Sequence, residues 1–340
     1  MRKVFFQVII FSVVVAAAMA LYIRAQFLGN AVEHKFTLFV DNKAIEAGLQ
    51  SLLEEELYPN INHDLAFKIY ADRINLNSTI KAGNYSFEPG MSVIRIARML
   101  KLGEQQAVNV TFNNIRTLPE LAGRIGAQLS IDSLELLEHL QSEQVAKAYN
   151  LTTESMLSMF IPNTYQLYWN TTAQKFTDRI YSEYNNFWNK ERVSKAKKLG
   201  MSQLEVMTLA SIVYEETKQT SEMARVAGVY LNRLRIGMPL QADPTVKYAL
   251  QDFTIKRVLN KHLEYDSPYN TYKYRGLPPA PIAMPSIAAI DAVLSPEKHS
   301  YLYFCARPTF DGFHNFAKTL AEHNINARAY ANELNRLKIR

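Results

Sequence analysis

The segment Ser202-Gln-Leu-Glu-Val-Met-Thr-Leu-Ala-Ser-Ile-Val-Tyr-Glu-Glu-Thr217 has the pattern of a helix that is buried on most of its sides. Ser202 and Glu205 have the spacing of a capping box, which predicts that the helix begins there. Apolar residues then occupy nearly every face, as expected of a helix inside a core. The segment therefore predicts a buried helix that carries Glu215 and Glu216 at its C-terminal end.

A carboxyl group in that position has an unusual chemistry. Burial disfavours the charged form, and the negative end of the helix dipole disfavours it further, so both raise the pKa. A carboxyl group with a raised pKa can act as a general acid near neutral pH. The same pattern would arise if Glu215 and Glu216 were only solvated residues at a frayed helix end. The pattern alone does not distinguish a buried acid from such solvated residues.

Polar segments follow this helix along the chain. The next helix has one regular apolar stripe, begins near Ser221 and ends before Gly237, with Asn232 beside the stripe. After it come three loops with many polar or prolyl residues and then a turn that leads into a strand: 240–246, 267–272, 276–285 and 311–316. Proline-rich segments are stiff and can shape a groove at little entropic cost.

The residues before this region, from 36 to 106, have the pattern of a small separate module. Residues 36–40 read as a strand, 44–57 as a helix, and 83–87 as a second strand. Residues 92–102 predict a helix that closes at Gly103. We expect a small α+β module over residues 36–106 and a larger mixed α+β domain over residues 107–340. The predicted fold class is α+β.

The N-terminal segment predicts export from the cytoplasm. Val4 to Ile23 is almost entirely apolar and, as a helix, spans about 30 Å, the hydrocarbon thickness of a bilayer. Arg2 and Lys3 precede it, which places the N-terminus in the cytoplasm. We expect a single-pass transmembrane anchor over residues 1–24 and a spacer over 25–35. A cleaved signal peptide, with Ala18-Met-Ala20 as cleavage site, is the alternative, and it also exports the chain.

Composition narrows the range of functions. Lys plus Arg number 38 and Asp plus Glu number 32, a net charge of +6 without a dense basic run, so we expect no nucleic-acid partner. The sequence has no Cys and His spacing typical of zinc sites and no phosphate-binding glycine loop, so we predict no metal and no cofactor. The single cysteine, Cys305, lies in an apolar run and is interpreted as a buried structural thiol.

In the buried helix and the polar segments after it, the sequence resembles the endolytic murein transglycosylase family, also called MltG/YceG-like. The motifs that carry the resemblance occur in order between residues 160 and 325: Ala210-Ser-Ile-Val-Tyr-Glu-Glu-Thr217, Arg225-Val-Ala-Gly-Val-Tyr-Leu-Asn-Arg-Leu234, Gly237-Met-Pro-Leu-Gln-Ala-Asp-Pro-Thr-Val246, Tyr269-Asn-Thr-Tyr272, Gly276-Leu-Pro-Pro279 and His314-Asn-Phe316. The segment Lys81-Ala-Gly-Asn-Tyr-Ser-Phe87 resembles the family's LysM-like subdomain, and the N-terminal anchor also matches.

The resemblance implies an enzyme that cleaves nascent peptidoglycan strands between N-acetylmuramic acid and N-acetylglucosamine and leaves a 1,6-anhydro end. The family's catalytic glutamate directly precedes a threonine in a Glu-x-Glu-Thr motif, which implies Glu216 here. The first glutamate of that motif is replaced by Tyr214. The polar loops are then expected to bind the sugar around Glu216, through Asn232, Gln241, Asp243, Thr245, Asn270, Tyr272 and His314.

The implied setting is the outer side of the cytoplasmic membrane, with the catalytic domain in the periplasm. Glycan strands are the implied substrate, and peptidoglycan synthases are candidate partners. Two alternatives stay open from the sequence. One is a hydrolytic muramidase in which Asp243 acts as nucleophile or base beside Glu216. The other is a non-catalytic wall-binding or scaffold protein of the wall-synthesis machinery.

Overall fold

The computed structural model describes residues 2–337, and its mixture of helices and strands confirms the α+β class. The strands are β1 (Phe36–Val40), β2 (Gly83–Phe87), β3 (Ala107–Phe112), β4 (Asn163–Tyr168), β5 (Tyr303–Ala306) and β6 (His314–Ala317). They pair in sequence order as three two-stranded sheets among the described residues.

The α-helices of residues 2–337 are α1 (Arg2–Leu28), α2 (Asn42–Glu46), α3 (Gln50–Leu52), α4 (Asp64–Arg73), α5 (Leu76–Thr79), α6 (Val93–Leu102), α7 (Leu118–Gly126), α8 (Ser133–Gln141), α9 (Glu143–Ala148), α10 (Ala173–Phe187), α11 (Lys190–Leu199), α12 (Gln203–Glu216), α13 (Thr220–Arg235), α14 (Asp243–Leu250), α15 (Asn260–Leu263), α16 (Ile287–Leu294) and α17 (Leu320–Arg336). A π-helical turn covers Leu53–Leu57, and 3-10 turns cover Tyr58–Asn60 and Met156–Met159.

The chain divides into two compact units. The first runs to Val110 and also includes residues 128–131 and 165–172, and the second contains the remaining residues from Thr111 onward. The return of residues 165–172 to the first unit follows from the pairing of β4 with β3. The sequence predicts a boundary after residue 106, and its local patterns carry no information about such a long-range strand pair.

The first unit contains an antiparallel pair of strands with helices between them. Strand β1 pairs with β2, with Phe36 opposite Phe87 and Val40 opposite Gly83. Helix α6 begins after its cap Ser92, whose hydroxyl accepts from the Arg95 amide, and ends at Gly103 in the left-handed conformation. Its apolar face and both strands contribute to one hydrophobic core.

The predicted helix over residues 44–57 is wrong, because the structure breaks it. Helix α2 ends at Glu46, and Gly48 and Leu49 then adopt positive φ angles of 99° and 56°. Two consecutive left-handed residues reverse the chain direction, and no α-helix can continue through them. The apolar spacing of Leu49, Leu52 and Leu53 still serves the core, since Leu49 in this turn and Leu53 after it are both buried.

Helix α1 is apolar and long enough to cross a membrane, and none of its residues is buried. It extends through Leu28, so it includes part of the predicted spacer over residues 25–35. The rest of that segment is not an extended linker either: Ala31 and Val32 are fully buried in the core of the first unit. The Ala31 amide also donates to the Met91 carbonyl. Two apolar residues in a polar stretch are enough to hold this segment against the module.

The second unit is built around helix α12. Residues Val206 to Val213 are all buried, as the sequence predicts, and α12 packs against α13 and α16. The antiparallel hairpin of β5 and β6 packs against α13 and α17, with Ala306 opposite His314. Buried α12 and the hairpin therefore deliver side chains to the same region around the end of α12.

Candidate active site

Helix α12 ends with a carboxyl group inside a cavity. Its first turn has the predicted capping box, in which the Ser202 amide donates to Glu205 Oε2 at 2.7 Å and the Glu205 amide donates to the Ser202 hydroxyl at 3.2 Å. The last helical residue is Glu216, followed by the cap residue Thr217. Since the helix is fixed at both ends and packed along its length, the backbone of Glu216 is rigidly placed.

The environment of Glu216 favours the protonated carboxyl group. Its pKa is raised from the ordinary value to about 7, chiefly by burial and also by the negative charge of Asp243. The Tyr230 hydroxyl donates a hydrogen bond to Glu216 Oε1 at 2.7 Å and opposes this rise, because it stabilises the carboxylate. Glu216 can therefore hold a proton at neutral pH and release it, as a general acid must.

The cavity next to Glu216, called the Glu216 cavity below, has a volume of about 370 Å³. That volume suits one sugar-sized group. Its walls come from α12, α13, the loop before α14, the loop around Tyr272, both strands of the hairpin and α17. The lining residues are Glu216, Tyr230, Arg233, Leu240, Gln241, Asp243, Tyr272, Tyr303, Phe304, Cys305, Ala306, His314, Leu320 and His323.

Glu215 has a different environment from its neighbour. Its Oε2 accepts from the Arg116 guanidinium at 3.0 Å, and its Oε1 accepts from the Lys218 ammonium at 3.2 Å. Its side chain is 14% exposed and does not line the Glu216 cavity. Consecutive residues of a helix point about 100° apart, which is why two adjacent glutamates face different surroundings. Only Glu216 of the pair is available to a group in the cavity.

Four of the predicted substrate-binding residues line the Glu216 cavity: Gln241, Asp243, Tyr272 and His314. The Tyr272 hydroxyl donates to Asp243 Oδ1 at 2.6 Å, which joins two loops across the cavity wall. Asp243 begins α14, where Pro244 occupies the first turn, so the segment predicted as a loop is the start of a helix. Proline suits that position because the first turn of a helix does not need its amide hydrogen.

The other three, Asn232, Thr245 and Asn270, do not line the cavity, so the structure does not bring them together with Glu216 there. The Asn232 amide donates to the carbonyls of His299 and Tyr301 at 2.9 and 3.0 Å. It therefore anchors the chain that leads into β5. The sequence shows that a polar residue lies beside an apolar stripe, but it does not show which neighbouring groups its side chain contacts.

Thr245 and Asn270 are fully buried and hold the loops from behind. The Thr245 hydroxyl donates to the Ala242 carbonyl at 2.7 Å, and the Asn270 amide donates to the carbonyls of Leu263 and Tyr265 at 2.9 and 2.8 Å. Buried polar groups must be hydrogen-bonded, and here they satisfy loop carbonyls. Their contribution to the site is to fix the positions of Gln241 and Tyr272.

Tyr230 and Arg233 line the Glu216 cavity, although the sequence pattern does not identify them as site residues. Tyr230 belongs to the apolar stripe of α13, and its ring is buried, yet its hydroxyl reaches Glu216. Arg233 is 7% exposed and donates to the carbonyls of Leu302 and Leu240, each at 2.6 Å. A tyrosine and an arginine one helical turn apart can be recognised as site residues only when α13 is known to pack against α12, because that packing brings them to Glu216.

Cys305, interpreted as a buried structural thiol, is half-buried and lines the Glu216 cavity. Burial raises the pKa of its thiol, so the thiol stays protonated and unreactive at neutral pH. Over residues 2–337 the structure contains no cluster of three or more His, Cys, Asp or Glu side chains arranged to hold a metal ion. The groups that face the cavity are suited to acid–base chemistry and hydrogen bonding.

Comparison with known proteins identifies the family of this chain. The model of the YceG-like family matches residues 41–329, which is most of the chain. The chain belongs to the YceG-like family. A relative from Bacillus subtilis (strain 168), named endolytic murein transglycosylase, is 31% identical over 290 residues, which cover 81% of this chain and 79% of the relative.

Two further proteins extend the comparison. A protein of the same name from Streptococcus pneumoniae serotype 2 (strain D39 / NCTC 7466) is 29% identical over 305 residues, covering 80% of this chain and 54% of that protein. The crystal structure of a yceG-like protein from Listeria monocytogenes has a TM-score of 0.57 and 30% identity, covering 86% of this chain and 99% of that one. The Glu216 cavity lies entirely within the region matched by the family.

Proposed function

We propose that this YceG-like protein is an endolytic lytic transglycosylase that cleaves peptidoglycan glycan strands between N-acetylmuramic acid and N-acetylglucosamine. The observation that carries the proposal is the Glu216 carboxyl group, which opens into a sugar-sized cavity with its pKa raised to about 7. The family relatives named endolytic murein transglycosylase support the choice of substrate.

The reaction needs one carboxyl group used twice. Protonated Glu216 donates its proton to the glycosidic oxygen as the bond from that oxygen to C1 of the muramic acid breaks. The C6 hydroxyl of the same sugar then attacks C1, and the Glu216 carboxylate takes the hydroxyl proton. The product is a 1,6-anhydro ring, and Glu216 returns to its protonated state. Because the attack is intramolecular, proximity supplies much of the acceleration.

Hydrogen bonding assigns a task to each oxygen of Glu216. Oε1 accepts from the Tyr230 hydroxyl, so Oε2 is the oxygen that exchanges the proton with the substrate. The side chains of Gln241, Tyr272 and His314 offer donors and acceptors for sugar hydroxyl and N-acetyl groups. The rings of Tyr303 and Phe304 offer apolar faces of the kind that pyranose rings contact.

The proposed cellular setting is the outer face of the cytoplasmic membrane. Helix α1 would be a single-pass anchor with Arg2 and Lys3 on the cytoplasmic side and the second unit in the periplasm. The antiparallel β1–β2 pair with helices between its strands supports a LysM-like module in the first unit, which would hold glycan. Peptidoglycan synthases, which make the strands at this membrane, are the proposed protein partners.

A hydrolytic muramidase is the second candidate, because Asp243 shares the cavity with Glu216. A second carboxylate could activate a water molecule or attack C1 directly. Two features favour the transglycosylase over it. Asp243 already accepts a hydrogen bond from Tyr272, and it begins a helix whose dipole stabilises its charge, so its nucleophilicity is reduced.

A pair of adjacent variants tests the proposed function. Full-length protein in detergent micelles is incubated with uncross-linked glycan strands, and strand length is followed by chromatography. Glu216→Gln should reduce cleavage by about 10²–10⁴-fold, since glutamine cannot donate an acidic proton. Glu215→Gln is the matched control and should retain most activity. Full activity in Glu216→Gln with an unchanged circular dichroism spectrum would show that another group is the acid.

A further inference from the structure

A buried glutamate holds one of the cavity residues from behind. Glu222, in the first turn of α13, is only 3% exposed. Its Oε1 accepts from the His314 backbone amide at 3.0 Å, and its Oε2 lies 2.8 Å from His314 Nδ1. The Phe304 ring meets the imidazole edge-on with centroids 5.2 Å apart. The imidazole ring is thus held by two different elements and lines the Glu216 cavity.

The two hydrogen bonds determine which ring nitrogen carries a hydrogen. An ionised carboxylate can only accept hydrogen bonds, so Nδ1 must donate to Glu222. Nε2, on the other side of the ring, has no bonding partner among residues 2–337. In the neutral imidazole a proton on Nδ1 leaves Nε2 with a free lone pair. In this tautomer the buried glutamate leaves Nε2 of His314, a residue that lines the Glu216 cavity, as the acceptor.

We propose that Glu222 is a positioning residue that fixes His314 with its Nε2 as a hydrogen-bond acceptor for a hydroxyl group of the bound sugar. This inference rests on the proposed function, since it assigns a sugar to the cavity. His314 touches the substrate, and Glu222 acts only through His314. The arrangement gives the site an oriented acceptor in addition to the Glu216 carboxyl group.

Glutamine at position 222 reverses the polarity of His314. The amide has one oxygen and one NH₂ group, and the His314 backbone amide requires the oxygen. The NH₂ group then faces Nδ1, which must become an acceptor, so the proton moves to Nε2. A change of one atom in a nearly isosteric side chain would convert Nε2 from acceptor to donor.

Three variants of the full-length protein test the proposal by cleavage kinetics. Glu222→Gln and His314→Asn should each lower kcat/KM by about 10-fold, the effect of one lost hydrogen bond. Asparagine places its NH₂ group near Nδ1 and keeps the bond to Glu222, yet it has no counterpart of Nε2. Glu297→Gln is the control. It removes a carboxylate that pairs with Arg225, a residue on the same helix as Glu222, and its kcat/KM should stay within about 2-fold of the wild type.

A His314→Asn variant with wild-type kcat/KM would overturn the proposal, because it would show that the pair only supports the fold. Thermal unfolding of each variant verifies that the fold is retained. The second measurement is independent of activity: nitrogen NMR of ¹⁵N-histidine-labelled full-length protein in micelles. The signal of His314 should show a proton on Nδ1 in the wild type and on Nε2 in Glu222→Gln.

The same nitrogen state in both proteins would also overturn the proposal. A wild-type protein that leaves glycan strands uncut would contradict the proposed function instead. In that case the nitrogen spectrum would still decide whether Glu222 sets the state of His314. The two failures are therefore distinguishable.

Discussion

Replacing Tyr230 with phenylalanine should move the pH range in which the enzyme works. The Tyr230 hydroxyl donates to Glu216 Oε1 at 2.7 Å and lowers the pKa of that carboxyl group, because the hydrogen bond stabilises the charged form. Phenylalanine keeps the ring and its edge-on contact with Phe304 but removes the donor. The Glu216 pKa should therefore rise above its value of about 7 in the native protein.

The size of the effect follows from two relations. With a pKa of about 7 instead of the ordinary 4.5, half of the Glu216 carboxyl groups are protonated at pH 7 in place of about 0.3%, a gain of about 150-fold in the acid form. A hydrogen bond to an ionised group contributes about 1.5–3 kcal/mol, and about 1.4 kcal/mol corresponds to one pH unit. Since the cavity is open to water, the lower end applies, about one pH unit.

The assay is kcat/KM on glycan strands between pH 5 and pH 9. Activity requires protonated Glu216, so it falls as pH rises through the pKa, and in Tyr230→Phe this alkaline limb should lie about one unit higher. Tyr272→Phe is the control: it also removes a cavity hydroxyl, but one bonded to Asp243, so its limb should stay in place even if overall activity falls. A limb that is unmoved or shifted to lower pH in Tyr230→Phe would refute the reasoning.

Three further predictions concern the surroundings of the site. Asp243→Asn removes a charge that raises the Glu216 pKa, so the alkaline limb should move to lower pH, opposite to Tyr230→Phe; a complete loss of activity at every pH would favour the hydrolase instead. Asn270→Ala removes a buried side chain that donates to two loop carbonyls and should destabilise the fold by about 1–3 kcal/mol, measured as a lower Tm, and an unchanged Tm would contradict that role. A form released by replacing residues 1–24 with a cleavable signal peptide should still cut isolated strands. In cells it should shorten strands less than the anchored form at equal expression, because tethering raises the local concentration of the enzyme at the membrane. Equal shortening by the two forms would contradict the role of tethering.

The chain between α1 and the core of the first unit is shorter in the structure than the sequence predicts. Residues 25–35 predict a spacer that could reach about 40 Å when extended. The structure continues α1 to Leu28 and buries Ala31 and Val32 in the first unit, so the described segment has almost no free length. The folded part of the first unit therefore begins close to the end of α1.

Local sequence signals predict the elements of the second unit that are fixed by local physics. The capping box at Ser202, the all-round apolar character of α12 and the stripe of α13 are properties of short segments, and the structure has these helices where the patterns predict them. The raised pKa of Glu216 could also be predicted, because burial and helix direction are both visible in the pattern. Prediction of the break at Gly48 fails because left-handed Leu49 is set by tertiary packing.

The direction in which a polar side chain points could not be predicted. Asn232, Thr245 and Asn270 look like binding residues because they are polar and lie in loops or at helix edges, but each satisfies backbone carbonyls. Tyr230 looks like a core residue, and its hydroxyl is the closest partner of Glu216. Which groups meet in the cavity depends on contacts between α12, α13 and the β5–β6 hairpin, and these contacts are distant in sequence.

Mass spectrometry of the glycan ends made by the full-length protein tests the central claim most directly. Uncross-linked strands are treated with the wild type and with Glu216→Gln, and the new ends are examined with and without borohydride, which reduces only a reducing end. The account predicts new 1,6-anhydro ends that resist reduction, made by the wild type and absent with Glu216→Gln. New reducing ends that depend on Glu216 would instead identify a hydrolase and contradict the intramolecular attack.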